Sequence, residues 1–161
     1  MSSANSVTIY TDGAARGNPG PGGYGVVLMS GNHRKELSQG YSHTTNNRME
    51  IRAVLAGLEA LKKKGLNVTI YSDSQYVVNS VTKGWLDNWI ATNFKGGKKN
   101  KDLWLQYKEL AKDQKINFVW VKGHADNPFN NRCDELATAA ADGGNLIPDD
   151  GYEVERNNLF G

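Results

Sequence analysis

Four carboxylates stand where a chain would hand a strand over to a loop or start a helix. Asp12 ends the run Val7-Thr-Ile-Tyr-Thr-Asp12, and Asp73 ends Val68-Thr-Ile-Tyr-Ser-Asp73. In an extended strand each Asp shares a face with the tyrosine two residues before it. If the two strands are parallel neighbours, ~4.8 Å apart, the two acids emerge side by side at one sheet edge. Ionised carboxylates that close repel by about 3 kcal/mol at an effective dielectric near ~20. Either one takes up a proton or a cation sits between them, and a hard cation with oxygen ligands is the economical answer. Taken singly, Asp12 before Gly13 suits a turn, Asp73 suits a helix N-cap, and Asp134 in a first helical turn suits the macrodipole. Glu50 resists such a reading. It shares a helical stripe with Val54, Gly57 and Leu61, and a carboxylate on a packing face is costly unless paired or metal-bound. Joint placement is what points to chemistry, because open α/β sheets build sites at strand C-termini. His124, in the loop 122–128 after a strand, could move protons near such a cluster at neutral pH. His33 and His43 sit at polar hairpin positions and read as exposed.

The elements that must hold these residues follow from periodicity. Strands are expected at 6–12, 24–30 and 34–42, the last two flanking a glycine-containing turn. Ile51, Val54, Leu55, Leu58 and Leu61 keep helical spacing until Lys62-Lys-Lys-Gly65 stops the run. Strands at 67–73 and 116–121 and helices near 74–81, 85–91, 102–114 and 131–142 complete the order. Three consecutive strands followed by alternating helix and strand imply a mixed sheet with helices packed on it. Gly57 in mid-helix suggests a close approach to that sheet. Gly20-Pro-Gly-Gly-Tyr-Gly25 matches a dinucleotide-binding spacing, but a strand rather than a helix follows it, so that reading fails. The segment 17–23 reads as a tight loop.

Composition bounds the rest. The chain has 161 residues, 19 Lys+Arg against 17 Asp+Glu, and 39% hydrophobic residues, which suits one domain over 1–161. The single cysteine, Cys133, excludes an intramolecular disulfide framework and a cysteine-based zinc cluster. The longest aliphatic run is Val26–Met29, and the N-terminus has no apolar signal core, so a soluble, cytoplasmic protein without membrane contact is expected. Charge is unevenly spread. Residues 83–101 carry five lysines and one aspartate, whereas 142–161 carry five acids and one arginine. The latter reads as a solvated tail over 143–161, partly flexible.

Tyr10-Thr-Asp-Gly13, the segment 17–25, Thr44-Thr-Asn-Asn-Arg-Met-Glu50, Ser72-Asp-Ser-Gln-Tyr-Val77, Trp120-Val-Lys-Gly-His124 and Arg132-Cys-Asp-Glu-Leu-Ala137 occur in that order. Together they resemble the bacterial-type ribonuclease HI family from about residue 6 to residue 142, and 151–154 looks like its C-terminal segment. The resemblance implies an RNase H-like α/β fold. Its mixed five-stranded sheet has three antiparallel and two parallel strands, with helices on both faces. It implies an endonuclease that cuts the RNA strand of RNA/DNA hybrids with Mg²⁺, or Mn²⁺ as substitute, two ions being bound with substrate. It makes Asp12, Glu50, Asp73 and Asp134 the metal-binding carboxylates and His124 a mobile-loop catalytic histidine. Asn18, Asn46 and Gln75 match contacts to the RNA strand, Thr45 a DNA-phosphate contact, and Trp85 an aromatic lining the DNA channel. A role in DNA replication and a monomeric state go with that assignment.

Two departures stand out. The basic segment after Trp89 is shortened, with Phe94 where an aromatic is expected, which predicts weaker but still salt-sensitive hybrid binding. Ala14-Ala15 replaces the Ser/Cys often found after Asp-Gly. The rival readings are a non-catalytic hybrid-binding module of the same fold, which the intact acid set disfavours, and an integrase-like enzyme, which the 17–25 and 44–50 motifs disfavour.

Overall fold

The β-branched residues of Val7–Thr11 and Val68–Ile70 form two adjacent strands inside the sheet, the first buried on both faces through Ile9 and Tyr10 and the second mainly on one through Val68 and Ile70. The computed structural model describes residues 5–122 and 127–160, the last three as backbone. In chain order it contains β1 (Ser6–Ala15), β2 (Gly20–Ser30), β3 (His33–Thr44), α1 (Asn46–Glu59) and β4 (Asn67–Ser72). Then follow α2 (Gln75–Thr82), α3 (Trp85–Ala91), α4 (Lys101–Ala111), β5 (Lys115–Trp120), α5 (Pro128–Asp142), β6 (Leu146–Ile147) and α6 (Asp150–Phe160). The strand order is β5-β4-β1-β2-β3-β6. β1, β2 and β3 form an antiparallel meander, β4 runs parallel to β1, and β5 runs parallel to β4.

The sheet thus has six strands where five were expected. The sixth is the two-residue β6, which pairs in parallel with Gly40 and Tyr41 of β3. Two residues are too few to leave a period in the sequence. The expected loop 17–23 is also shorter, because β2 begins at Gly20. Its glycines are there for packing: a Cβ on Gly23 would lie 2.6 Å from the Ala137 carbonyl oxygen and 2.9 Å from the Ala140 Cβ, so α5 rests on bare backbone.

Helices cover both faces. On one, α1 lies across β1 and β2, and a Cβ on Gly57 would stand 2.8 Å from Ile9 Cγ2. That core joins Ile9, Val26, Ile51, Val54, Ile70, Leu103 and Trp104, all buried. On the other face, Tyr10 and Val27 of the sheet pack against Cys133 of α5. Tyr10 there is stacked between Tyr71 and Phe129, with ring centroids 4.7 and 5.0 Å away. Because α4 packs on the outer side of α1, residues of α1 outside its apolar stripe are buried too, Arg48 among them. No helix among the described residues is long and apolar enough to cross a membrane.

Candidate metal-carboxylate site

The register of β1 against β4 pairs Thr11 with Ser72, so the next residues, Asp12 and Asp73, leave the sheet side by side. Asp12 does not open a turn, since β1 continues to Ala15 and pairs Asp12 with Gly25. Asp73 is not the N-cap of α2 either. Ser74 is, accepting from the Val77 amide at 3.1 Å. The Asp73 turn is tied down from several sides. The Ser74 amide donates to Ser72 Oγ at 3.1 Å, the Val121 amide donates to the Ser72 carbonyl at 2.9 Å, and Trp120 Nε1 donates to the Asp73 carbonyl at 3.2 Å.

Glu50 arrives from α1. That helix starts at a Thr45 N-cap, whose hydroxyl accepts from the Arg48 amide at 3.2 Å. The first turn then drops onto β1 where Gly13 leaves room: a Cβ there would sit 2.5 Å from the Glu50 amide nitrogen. Carboxylate oxygens of Asp12, Glu50 and Asp73 all lie within 4.8 Å of one another. Asp134 joins from α5. Because α5 begins at Pro128 behind an Asn127 N-cap, Asp134 stands in its second turn, not its first. It lines a cavity of about 30 Å³ together with Asp12, Asp73, Asn130 and Asn131.

Electrostatics single out the cluster. Burial first, and then the Asp73 charge, push the Asp12 carboxyl up to about 8, against the Gly13 amide that donates to Oδ1 at 2.9 Å. Burial, and after it the charges of Asp12 and Asp73, raise Glu50 well above the ordinary carboxylate range. Glu50 Oε1 and Asp73 Oδ1 are buried without a hydrogen-bond partner among the described residues. Orphaned acceptors, a hard-oxygen donor set and mutual repulsion all suit a divalent cation, so these residues fit one. A buried acid outside the cluster shows the contrast. Asp149 is buried, yet Arg48, Arg52 and Thr44 hold it below the carboxylate range against the opposing effect of burial.

The remaining expected residues fall around this centre. Asn18 Oδ1 accepts from the Asn46 amide at 3.0 Å, tying the glycine-rich turn to the start of α1. Asn18 and Thr45 share a cleft of about 460 Å³ with Asn47, Lys99, Asn100 and Tyr152. Gln75 is exposed at the first position of α2, two residues after Asp73. Trp85 is 40% exposed at the start of α3, with Lys83 Nζ 5.9 Å from its ring centroid. His124 lies outside the described residues. Sequence reasoning passed over Asn130 and Trp120, although Asn130 precedes Asp134 by four residues, the spacing that puts both on one helical face.

The RNase H family model matches residues 4–142. The ribonuclease H of Syntrophus aciditrophicus is 57% identical over 150 residues, covering 91% of this chain and 86% of that protein. The ribonuclease HI of Haemophilus ducreyi is 53% identical over 152 residues, 92% of this chain and 97% of its own. Among solved structures, LC9-RNase H1, a type 1 RNase H with the type 2 active-site motif, superposes with a TM-score of 0.78 at 28% identity. It covers 94% of this chain and 80% of that one. LC11-RNase H1 in complex with RNA/DNA hybrid gives a TM-score of 0.65 at 28% identity, over 84% and 96%. A sheet that brings Asp12 and Asp73 out together, a helix that lowers Glu50 onto them, and relatives this similar over most of their length make the chain a ribonuclease enzyme of the RNase H family.

Proposed function

We propose that this protein is an endonuclease that hydrolyses the RNA strand of RNA/DNA hybrids at the Asp12–Glu50–Asp73–Asp134 cluster. The products are a 5′-phosphate and a 3′-hydroxyl. The observation that carries the reading is the gathering of three acids within 4.8 Å around buried, unpartnered oxygens. Two Mg²⁺ ions bound there, or Mn²⁺ in their place, would supply an activated water and charge stabilisation for an in-line displacement at phosphorus. The chain's own contribution is placement. Asp12 and Asp73 are held by adjacent strands, Glu50 by the close α1–β1 contact, and Asp134 by α5. His124, on the strength of the sequence alone, is assigned a proton-transfer role beside them.

Substrate choice rests on amides. Asn18, Asn46 and Gln75 carry groups that both donate to and accept from a 2′-hydroxyl, the feature that separates RNA from DNA. Thr45 and Trp85 are assigned to the DNA strand, through a phosphate and the channel wall. A similar structure that holds RNA/DNA hybrid supports this class of ligand.

Cleavage of end-labelled RNA/DNA hybrid in Mg²⁺, with EDTA and duplex DNA as controls, tests the reading. The expected result is cutting of the RNA strand only, lost in EDTA and in Asp12→Asn or Asp73→Asn. Normal activity in either variant would falsify the site assignment. Hybrid binding without any cleavage would instead identify a non-catalytic module.

A further inference from the structure

We propose that Asn130 is a further residue of the cation site, its side-chain oxygen serving as a neutral acceptor for a divalent ion or the water bound to it. The inference rests on the cation-dependent reading above. Asn130 is the third residue of α5, and its backbone amide donates to Asn127 Oδ1 at 3.2 Å, so the helix cap fixes the base of the side chain. Only 8% of the residue is exposed. Its Oδ1 is buried with no hydrogen-bond partner among the described residues. It borders the same cavity of about 30 Å³ as Asp12, Asp73 and Asp134.

A buried acceptor left unsatisfied costs about 1–3 kcal/mol, and folded proteins seldom carry one without a reason. A bound cation keeps the three acids that border the cavity ionised, and ionised carboxylates accept only, so they then offer Asn130 no proton. What satisfies Oδ1 must enter the cavity, and a space of about this volume admits a water or an ion. Asn131 borders the cavity as well but is exposed, so bulk water reaches it and no such demand arises. The amide could also be turned so that its NH2 faces the acids, which would make it a donor to a carboxylate. The two orientations differ in what an aspartate would do in the same place. If the oxygen is the working group, Asp preserves it and adds charge. If the NH2 is, Asp destroys it.

Isothermal titration of the substrate-free full chain with Mn²⁺ separates these outcomes. Asn130→Ala is expected to bind Mn²⁺ about three- to tenfold more weakly, the loss of roughly one hydrogen bond. Its Tm in EDTA should be equal to or above that of the parent, because an orphaned acceptor has been removed. A merely structural asparagine would instead lower that Tm. Asn130→Asp is expected to bind Mn²⁺ at least as tightly as the parent. Parental affinity in Asn130→Ala overturns the proposal, and so does weakened binding in both variants. Should Asn130→Ala fail to fold, weaker binding by Asn130→Asp alone overturns it. Asp12→Asn is the control for the underlying reading. If it too binds Mn²⁺ like the parent, the cation site itself is misassigned, whereas its loss of binding beside an unaffected Asn130→Ala removes only the present inference.

Discussion

Asp12 illustrates how much one position can be asked to bear. It is 8% exposed, accepts a single backbone amide, and faces two further acids. Its proton affinity is therefore higher in the folded chain than in the unfolded one, about 8 against 3.8. A group raised in this way stabilises the fold at low pH, and that contribution disappears as pH climbs through the folded value. In EDTA, Tm is expected to fall as pH rises from about 4 to about 8, and Mg²⁺ is expected to restore it most strongly at the alkaline end. Thermal melts across that range, with and without metal, check both halves. A metal-free Tm that rises steadily toward pH 8 would contradict the cluster's electrostatics. Cys133, on the buried side of α5 near Asp12, has its thiol pushed up to about 12 by burial, which makes it a packing residue and a poor nucleophile.

At the scale of elements, the site depends on how closely α1 approaches β1. That distance is set by missing side chains: Gly13 under the first turn of α1 and Gly57 over Ile9. Gly13 has no left-handed backbone to excuse it, so the argument is one of space alone. Gly13→Ala would put a methyl 2.5 Å from the Glu50 amide nitrogen and 2.6 Å from the Met49 carbonyl carbon, and the start of α1 would have to lift. Overpacking of this kind costs about 1–3 kcal/mol. Since the lifted turn carries Glu50, catalysis should fall further than stability does. Urea denaturation alongside hybrid cleavage measures the two separately, and full activity in this variant would show that α1 has slack. Gly31→Ala, at a turn with open space around it, is a control for a pure backbone penalty.

For the molecule as a whole, the C-terminal segment is part of the packing. Of its acids, Asp142 is exposed and paired with Arg16, while Asp149 is buried against Arg48, Arg52 and Thr44. Arg48 also reaches Asp102 at the start of α4, and the Asn100 amide donates to Glu155 of α6 at 2.7 Å. The ion pairs and this hydrogen bond together join α1, α4 and α6 with the Asp149 that precedes it. Breaking a buried pair by neutralising one partner costs about 3 kcal/mol or more, roughly 6–12 °C in Tm for a domain of this size. Asp149→Asn is expected to show that loss. Because Asp149 is held low, its stabilisation is present above the unfolded carboxylate range and vanishes as the solution is acidified, so the variant should converge with the parent in acid. Charge placement also governs substrate binding. Lys95, Lys98, Lys99 and Lys101 are exposed, and Lys98 Nζ lies 5.8 Å from the ring centroid of Trp89. If these four meet phosphates, the logarithm of the hybrid association constant should fall against the logarithm of salt with a slope of about −3 to −4. Binding indifferent to ionic strength would refute that use of the basic segment.

The amino-acid sequence by itself determined the order of the elements from β1 to α5, the matching position of Asp12 and Asp73 at two strand ends, and the stripe that brings Glu50 inward. These were legible because parity along a strand, helical spacing and the short motifs are local properties of the chain. Other features were decided only by tertiary structure. β6 spans two residues and exists because β3 offers it an edge. Arg48 and Asp149 look like surface charges in sequence, and they become buried because α4 and the C-terminal segment, whose Asp102 and Asp149 lie 54 and 101 residues beyond Arg48, close over α1. Asn130 is an unremarkable helix residue until folding removes its water and leaves an acceptor facing three acids. The physical reason is the same in each case. Burial, and the raised or lowered proton affinities that come with it, depend on which distant segments meet, and one-dimensional patterning carries no record of that.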